Sequence, residues 1–232
     1  MSAQSSPTVE LRDISRAHGE GAAVNAVSAV FDGGMHLLRG EAAGGKELLL
    51  RLLGLLERAD WGDVLLLGQP TSGLDDAARA TLRNRRCGFV FAAPFLLAGF
   101  SVAENVAMPL FKISQVSPAE ARQRTEAVLD FCGLTGEAQT TVDALPLAAQ
   151  FRASLARALV NEPALVLVEN LDADLAGDGL RQFTALLRQA AARHHLAVIA
   201  TVSPAFSPEP VDRVLDIAAG RIVRDSAFPT SR

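Results

Sequence analysis

Polar and apolar residues alternate through VELRDIS and VNAVSAVF, so residues 8–31 predict a hairpin with its turn at Gly19 and Gly21. The run MHLLR then leads through glycines into KELLLRLLGLLER, whose leucines cover one helical face, giving strand, loop and helix in that order. DVLLLG and CGFVFA read as two further strands. Past Ala92 the pattern turns helical. SVAE at 101–104 and SPAE at 117–120 both fit the S-x-x-E capping box, and Pro118 suits a first turn. The second of these helices runs to about Cys132, with Gly133 as its stop, and another covers about 149–160. ALVLVE (164–169) and LAVIAT (196–201) are short continuous apolar runs, as expected of strands buried on both faces. Between them LRQFTALLRQAAARHH is an amphipathic helix. Strands alternating with helices predict an α/β fold with a mainly parallel sheet, an N-terminal antiparallel portion and a helical insertion.

Composition narrows the function classes. A chain of 232 residues, 49% hydrophobic, can close one sizeable core, so a single domain over 1–232 is expected. Net charge is -4 with acids and bases interspersed, which leaves no basic stripe for nucleic acid and no polybasic cluster for anionic lipid. The start MSAQSSPTVE lacks the signature of a secretory signal, and no apolar run approaches about 18 residues. A cytosolic or membrane-peripheral protein is expected. Cys87 and Cys132 have neither CxxC nor Cys/His spacing, so they predict small core residues and no metal site. His194 and His195 close a helix, where imidazolium suits the dipole, and their spacing carries no ligand logic.

One stretch carries candidate chemistry. In GEAAGGKELLL, Gly40, Gly45 and Lys46 fit the first seven positions of G-x-x-x-x-G-K-[ST], in which backbone amides cradle phosphates and the lysine reaches the terminal ones. The eighth position is Glu47, an acid in place of a hydroxyl. A plain turn with a solvated lysine is the competing reading of the loop alone.

Further segments follow in a set order: GFVFAAPFLLAGFSVAENVAMPL, ALPLAAQFRASLARALVNEPALVLVENLDADLAG, LAVIATVSPAF and VDRVLDIAAGRIVRD. Together with the loop, from about Val9 to Asp225, they resemble an ABC transporter ATPase subunit of the lipoprotein-release, macrolide-export and cell-division branch. The resemblance implies a P-loop NTPase core with a helical subdomain at about 93–150. It also implies that every catalytic landmark is altered. Glu47 stands where the family's Ser or Thr ligates magnesium, and Ala92 where the Q-loop glutamine senses it. Glu169 replaces the magnesium-holding Asp, Asn170 the glutamate that polarises water, and Val202 the switch histidine. Leu145, Pro146, Leu147, Ala148 and Ala149 align with the LSGGQ signature without its serine or glycines. His18 lies near the adenine-stacking aromatic, as a weak stacker or an ordinary surface residue.

The apolar stretch around Phe91, Phe95, Leu96, Leu97 and Phe100 corresponds to the groove that receives a permease's coupling helix; helical-subdomain core is the other reading. A neutral amide at Asn170 cannot be a general base. The resemblance therefore implies a pseudo-ATPase subunit, peripheral on the inner face of the cell membrane, that docks on an integral-membrane permease. It would pair with an active ATPase paralogue rather than a second copy. No cofactor or metal is expected at the loop, and Lys46, freed of phosphate, is expected to pair with Glu169 or Glu47. The alternative is an ATP-binding subunit with slow or no hydrolysis, Glu47 and Glu169 holding Mg2+.

Overall fold

The computed structural model describes residues 6–17, 23–114, 116–207 and 211–227. The expected hairpin forms from β1 (Val9–Arg16) and β2 (Val24–Phe31), paired antiparallel from Val9↔Phe31 to Arg16↔Val24. Its turn at Gly19 and Gly21, and His18, lie outside the described residues. β4 (Trp61–Leu66) and β5 (Gln69–Pro70) complete a four-stranded antiparallel sheet in the order β2-β1-β4-β5.

A second sheet runs β10-β9-β3-β8-β7-β6. Its strands are β3 (Gly34–Arg39), β6 (Cys87–Val90), β7 (Leu165–Val168), β8 (Ala197–Val202), β9 (Arg213–Ala218) and β10 (Arg221–Ala227). All pairs are parallel except β10 with β9, so the expected mainly parallel sheet is present. Burial on both faces explains the unbroken apolar runs. Leu165, Leu167, Ala197 and Ile199 face a core shared with β1, β2, β4 and the leucines of α1 (Lys46–Leu53). Val166, Val168, Val198 and Ala200 face another, shared with α3 (Val102–Pro109), α4 (Pro118–Phe131), α5 (Leu147–Leu159) and α6 (Gly177–His194).

The helix starts follow their caps. Ser101 Oγ accepts from Glu104 N at 3.2 Å while Glu104 Oε2 accepts from Ser101 N at 2.8 Å, a complete capping box. At α4 Ser117 caps Glu120 N at 3.2 Å, whereas the Glu120 carboxylate turns to Arg124 at 2.7 Å. α1 stops at Leu53 rather than running on through Arg58. Gly54 lies so close to the sheet that a Cβ would sit 2.5 Å from Leu167 Cδ1, and Leu55 then takes φ 57°. α2 (Asp76–Arg86), capped by Asp75 accepting from Ala78 N at 2.7 Å, is an addition to the expected elements. α6 ends on His195 at φ 51°. There His194 packs edge-on to Phe131 at 5.3 Å, and partial burial lowers its pKa, so the imidazolium expected at this helix end is disfavoured. Cys87 and Cys132 are buried, and burial pushes both thiols up to about 12. Among the described residues no helix is long and apolar enough to cross a membrane.

Candidate functional site

In parallel strands all C-terminal ends lie on one side, which is where open α/β sheets place their ligand crevice. β3 and β8 are in register with Arg39 opposite Val202, β8 and β7 with Ala200 opposite Val168, and β7 and β6 with Val168 opposite Val90. At or just beyond these ends lie Gly40, Val202, Glu169 with Asn170, and Ala92. The fold thus gathers onto one edge four separate stretches of sequence that the resemblance linked.

The loop itself is dictated by its glycines. Gly40 N donates to Val202 O at 3.3 Å, and a Cβ at Gly40 would lie 2.3 Å from Ile217 O. Ala42–Gly44 form one 3-10 turn, after which Gly45 takes φ 97° with its open side 2.5 Å from Ala23 O. Only glycine fits that conformation and that approach. α1 then begins at Lys46, and its first-turn amides have no intrahelical acceptor. The shape of the loop is therefore set by backbone.

Lys46 is buried, and its Nζ lies 2.6 Å from Glu47 Oε1, so one of the two expected carboxylates does pair with it. The other does not: Glu169 faces Arg51 Nη2 at 3.5 Å. Glu47 Oε2 is buried without a hydrogen-bond partner among the described residues. Asn170 takes φ 48°, a conformation Asn tolerates better than most residues, with its N–H donating to Thr201 Oγ1 at 2.8 Å. Val202, the last residue of β8, is apolar and fully buried. The next residue, Ser203, binds Asp172: its N–H donates at 3.0 Å and its hydroxyl at 2.5 Å. Just before the loop, Arg39 forks onto Asp216 at 2.6 and 3.1 Å and holds that carboxyl below the usual range.

Residues 145–149 are not part of this edge. They open α5 among the helices, with Pro146 at the cap position offering no side-chain acceptor, Leu147 exposed and Leu145 buried.

The 91–100 stretch is a displayed loop rather than core. Phe95 is 68% exposed, and Leu97 and Phe100 are exposed too, while Phe91 and Leu96 are half-buried. Phe91 stacks on Phe89 at 5.6 Å and meets Phe95 edge-on at 5.8 Å. Two polar side chains pin the loop. Buried Asn105 accepts from Leu97 N at 2.6 Å and donates to Leu97 O and Ser101 O at 3.2 and 3.0 Å. Arg157, its pKa lowered by burial, donates to Phe95 O and Pro94 O at 2.7 and 2.9 Å.

Neither pin was among the expected residues. Asn105 could have been found as a polar residue on the apolar face of SVAENVAMPL; Arg157 and the Arg51–Glu169 contact leave no local signal. Among the described residues no three His, Cys, Asp or Glu side chains are grouped to hold a metal.

The family model described as ABC transporter matches residues 25–171, a span holding the loop and Glu169–Asn170. A lipoprotein-releasing system ATP-binding protein, LolD, of Pseudomonas syringae pv. tomato is 34% identical over 184 residues, 79% of this chain and 81% of the relative. Among solved structures, CbiO1 of Clostridium perfringens, part of the transporter complex CbiONQ, superposes with a TM-score of 0.87 at 18% identity. That match covers 96% of this chain and 89% of CbiO1. The ATP-binding cassette MJ0796, in its dimeric post-hydrolysis state with ADP and Pi, gives 0.80 at 22% identity, over 96% and 99% of the two chains. The P-loop NTPase fold of this family is thereby established for the chain. The expectation that the loop takes no cofactor is overturned: the LolD relative is an ATP-binding protein, and MJ0796 holds ADP and Pi. The substitutions that prompted it change side chains, whereas the loop's shape belongs to the backbone.

Proposed function

Because this chain belongs to the ABC transporter family, we propose that it is the ATP-binding subunit of a permease complex, holding nucleotide with little or no hydrolysis of its own. The residues fit the ligand. Gly40 and Gly45 let the loop pack tightly against Ile217 O and Ala23 O, α1 presents its first-turn amides, and Lys46 stands at its start. Glu47 and Glu169 are the carboxylates available to a divalent cation, and Mg2+, when bound, neutralises phosphate charge.

The observation that carries the weak-hydrolysis part is the edge itself. Ala92, Asn170 and Val202 lie at or just past the ends of β6, β7 and β8, and none of the three can accept a proton from water. On this reading the chain's own residues bind and orient the nucleotide, and the position after Glu169 supplies no general base. Leu145–Ala149 offer no serine hydroxyl and no glycine to a second subunit's nucleotide, so two copies of this chain would make two incomplete composite sites. An active ATPase paralogue is the favoured partner for that reason.

Phe95, Leu97 and Phe100, with Phe91 and Leu96 behind them, form an apolar surface suited to a helix from the permease. The chain then sits on the cytoplasmic face of the membrane as a peripheral subunit. Residues 1–232 form one unit, with about 93–150 as the helical part that presents this surface. The test is purification of the native complex: this chain, a permease and a second ATPase with intact motifs should elute together. Recovery of this chain as a homodimer on the permease, with full ATPase activity, would refute the paralogue and weak-hydrolysis parts together.

A further inference from the structure

Building on that nucleotide reading, we infer that Glu47 makes phosphate access to Lys46 conditional on a divalent cation. The Lys46 side chain is 4% exposed, and Glu47 Oε1, 2.6 Å away, already neutralises its ammonium. A phosphate arriving alone meets a lysine that is occupied and a carboxylate of its own sign. Glu47 Oε2, meanwhile, is buried with no donor among the described residues, a costly state for a carboxylate oxygen. Arg51, on the same helix, is turned to Glu169.

A divalent cation resolves both features at once. It engages the open oxygen, cancels the carboxylate's charge and leaves Lys46 donors free to turn to phosphate. A neutral hydroxyl at this position would set no such condition, since it neither occupies the lysine nor repels phosphate. Glu47 is thus a positioning residue that acts through Lys46.

Calorimetric titration with ATP tests this, in excess Mg2+ and again in EDTA, on the full chain and on its Glu47→Gln and Glu47→Ser variants. The unsubstituted chain should lose about 100-fold or more in affinity when the metal is chelated, the size expected of one unscreened like-charge contact. Both variants should lose less than about 10-fold, and adding Lys46→Ala to Glu47→Gln should abolish the metal-free binding so gained. Two neutral replacements guard against one failing to fold, which thermal unfolding reports. An equal metal dependence in all three proteins would overturn the inference and leave the nucleotide reading standing. Absence of ATP binding by every protein in both conditions would overturn both.

Discussion

The strand-end edge and the displayed loop at 91–100 are both held by unusual backbone, yet they differ in what their side chains do. At the edge the backbone is specified by glycines and by Asn170 in a left-handed conformation, and side chains are free to vary without moving it. At the loop, Phe95 also has positive φ, 44°, but there the conformation depends on side chains, Asn105 and Arg157, that tie down backbone carbonyls and an amide. A geometry written into backbone survives the loss of its chemistry. One written into buried polar side chains requires that those residues stay, so substitutions at the edge should leave its shape intact while substitutions at Asn105 or Arg157 should not.

The largest effect should come from restoring side chains on the unchanged edge. The combined variant Glu47→Ser, Ala92→Gln, Asn170→Glu and Val202→His should raise single-turnover hydrolysis in the native complex by about 10²-fold to 10⁴-fold, whereas Asn170→Glu alone should gain less than about 10-fold. If the single change did as well as all four, the edge would be short of only a base. Next, Asn105→Leu should cost about 2–3 kcal/mol in denaturant unfolding, because it strands the buried groups at Leu97 and Ser101. A cost near that of a surface substitution would mean the loop is not held by its pins.

A smaller effect separates the sheet from both regions. His36 on β3 is buried, its Nε2 3.0 Å from Asp32 O and its Nδ1 without a partner among the described residues. Burial holds its pKa below the ordinary 6.5, while Asp212 and Asp32 favour the charged form and Arg213 opposes it. The unfolded chain therefore takes up this proton first, so stability is full above 6.5 and declines as pH falls toward the folded-state value. Urea titrations from pH 7.5 to about 5.5 should show that decline, and His36→Phe should flatten it. The smallest effect is that of Phe95→Asp on stability, within about 0.5 kcal/mol of the parent because the ring is exposed. The same variant should fail to capture the permease.

How much of this was legible in sequence follows from where each feature is encoded. Alternation in β1 and β2 and apolar runs in β7 and β8 are local signals, and the structure honours them. α1 reads too long because Leu55 and Leu56 continue the helical pattern, while what stops it is the contact of Gly54 with Leu167 and Phe89 across the sheet. α2 escapes a hydrophobic reading because Arg79 is its buried residue; only the Asp75 cap announces it. At the site, Glu47 beside Lys46 is adjacent in sequence and could be anticipated. Arg51 to Glu169 spans 118 positions and could not.

The central claim is that this chain binds ATP and leaves it intact. Its most direct test is a single-turnover experiment with radiolabelled ATP and the purified chain in excess, in Mg2+, following both bound label and its conversion to ADP. The account predicts saturable binding with the label still ATP after many minutes. Conversion at about 1 per second, an ordinary enzymatic rate, or no bound label at all, would contradict it.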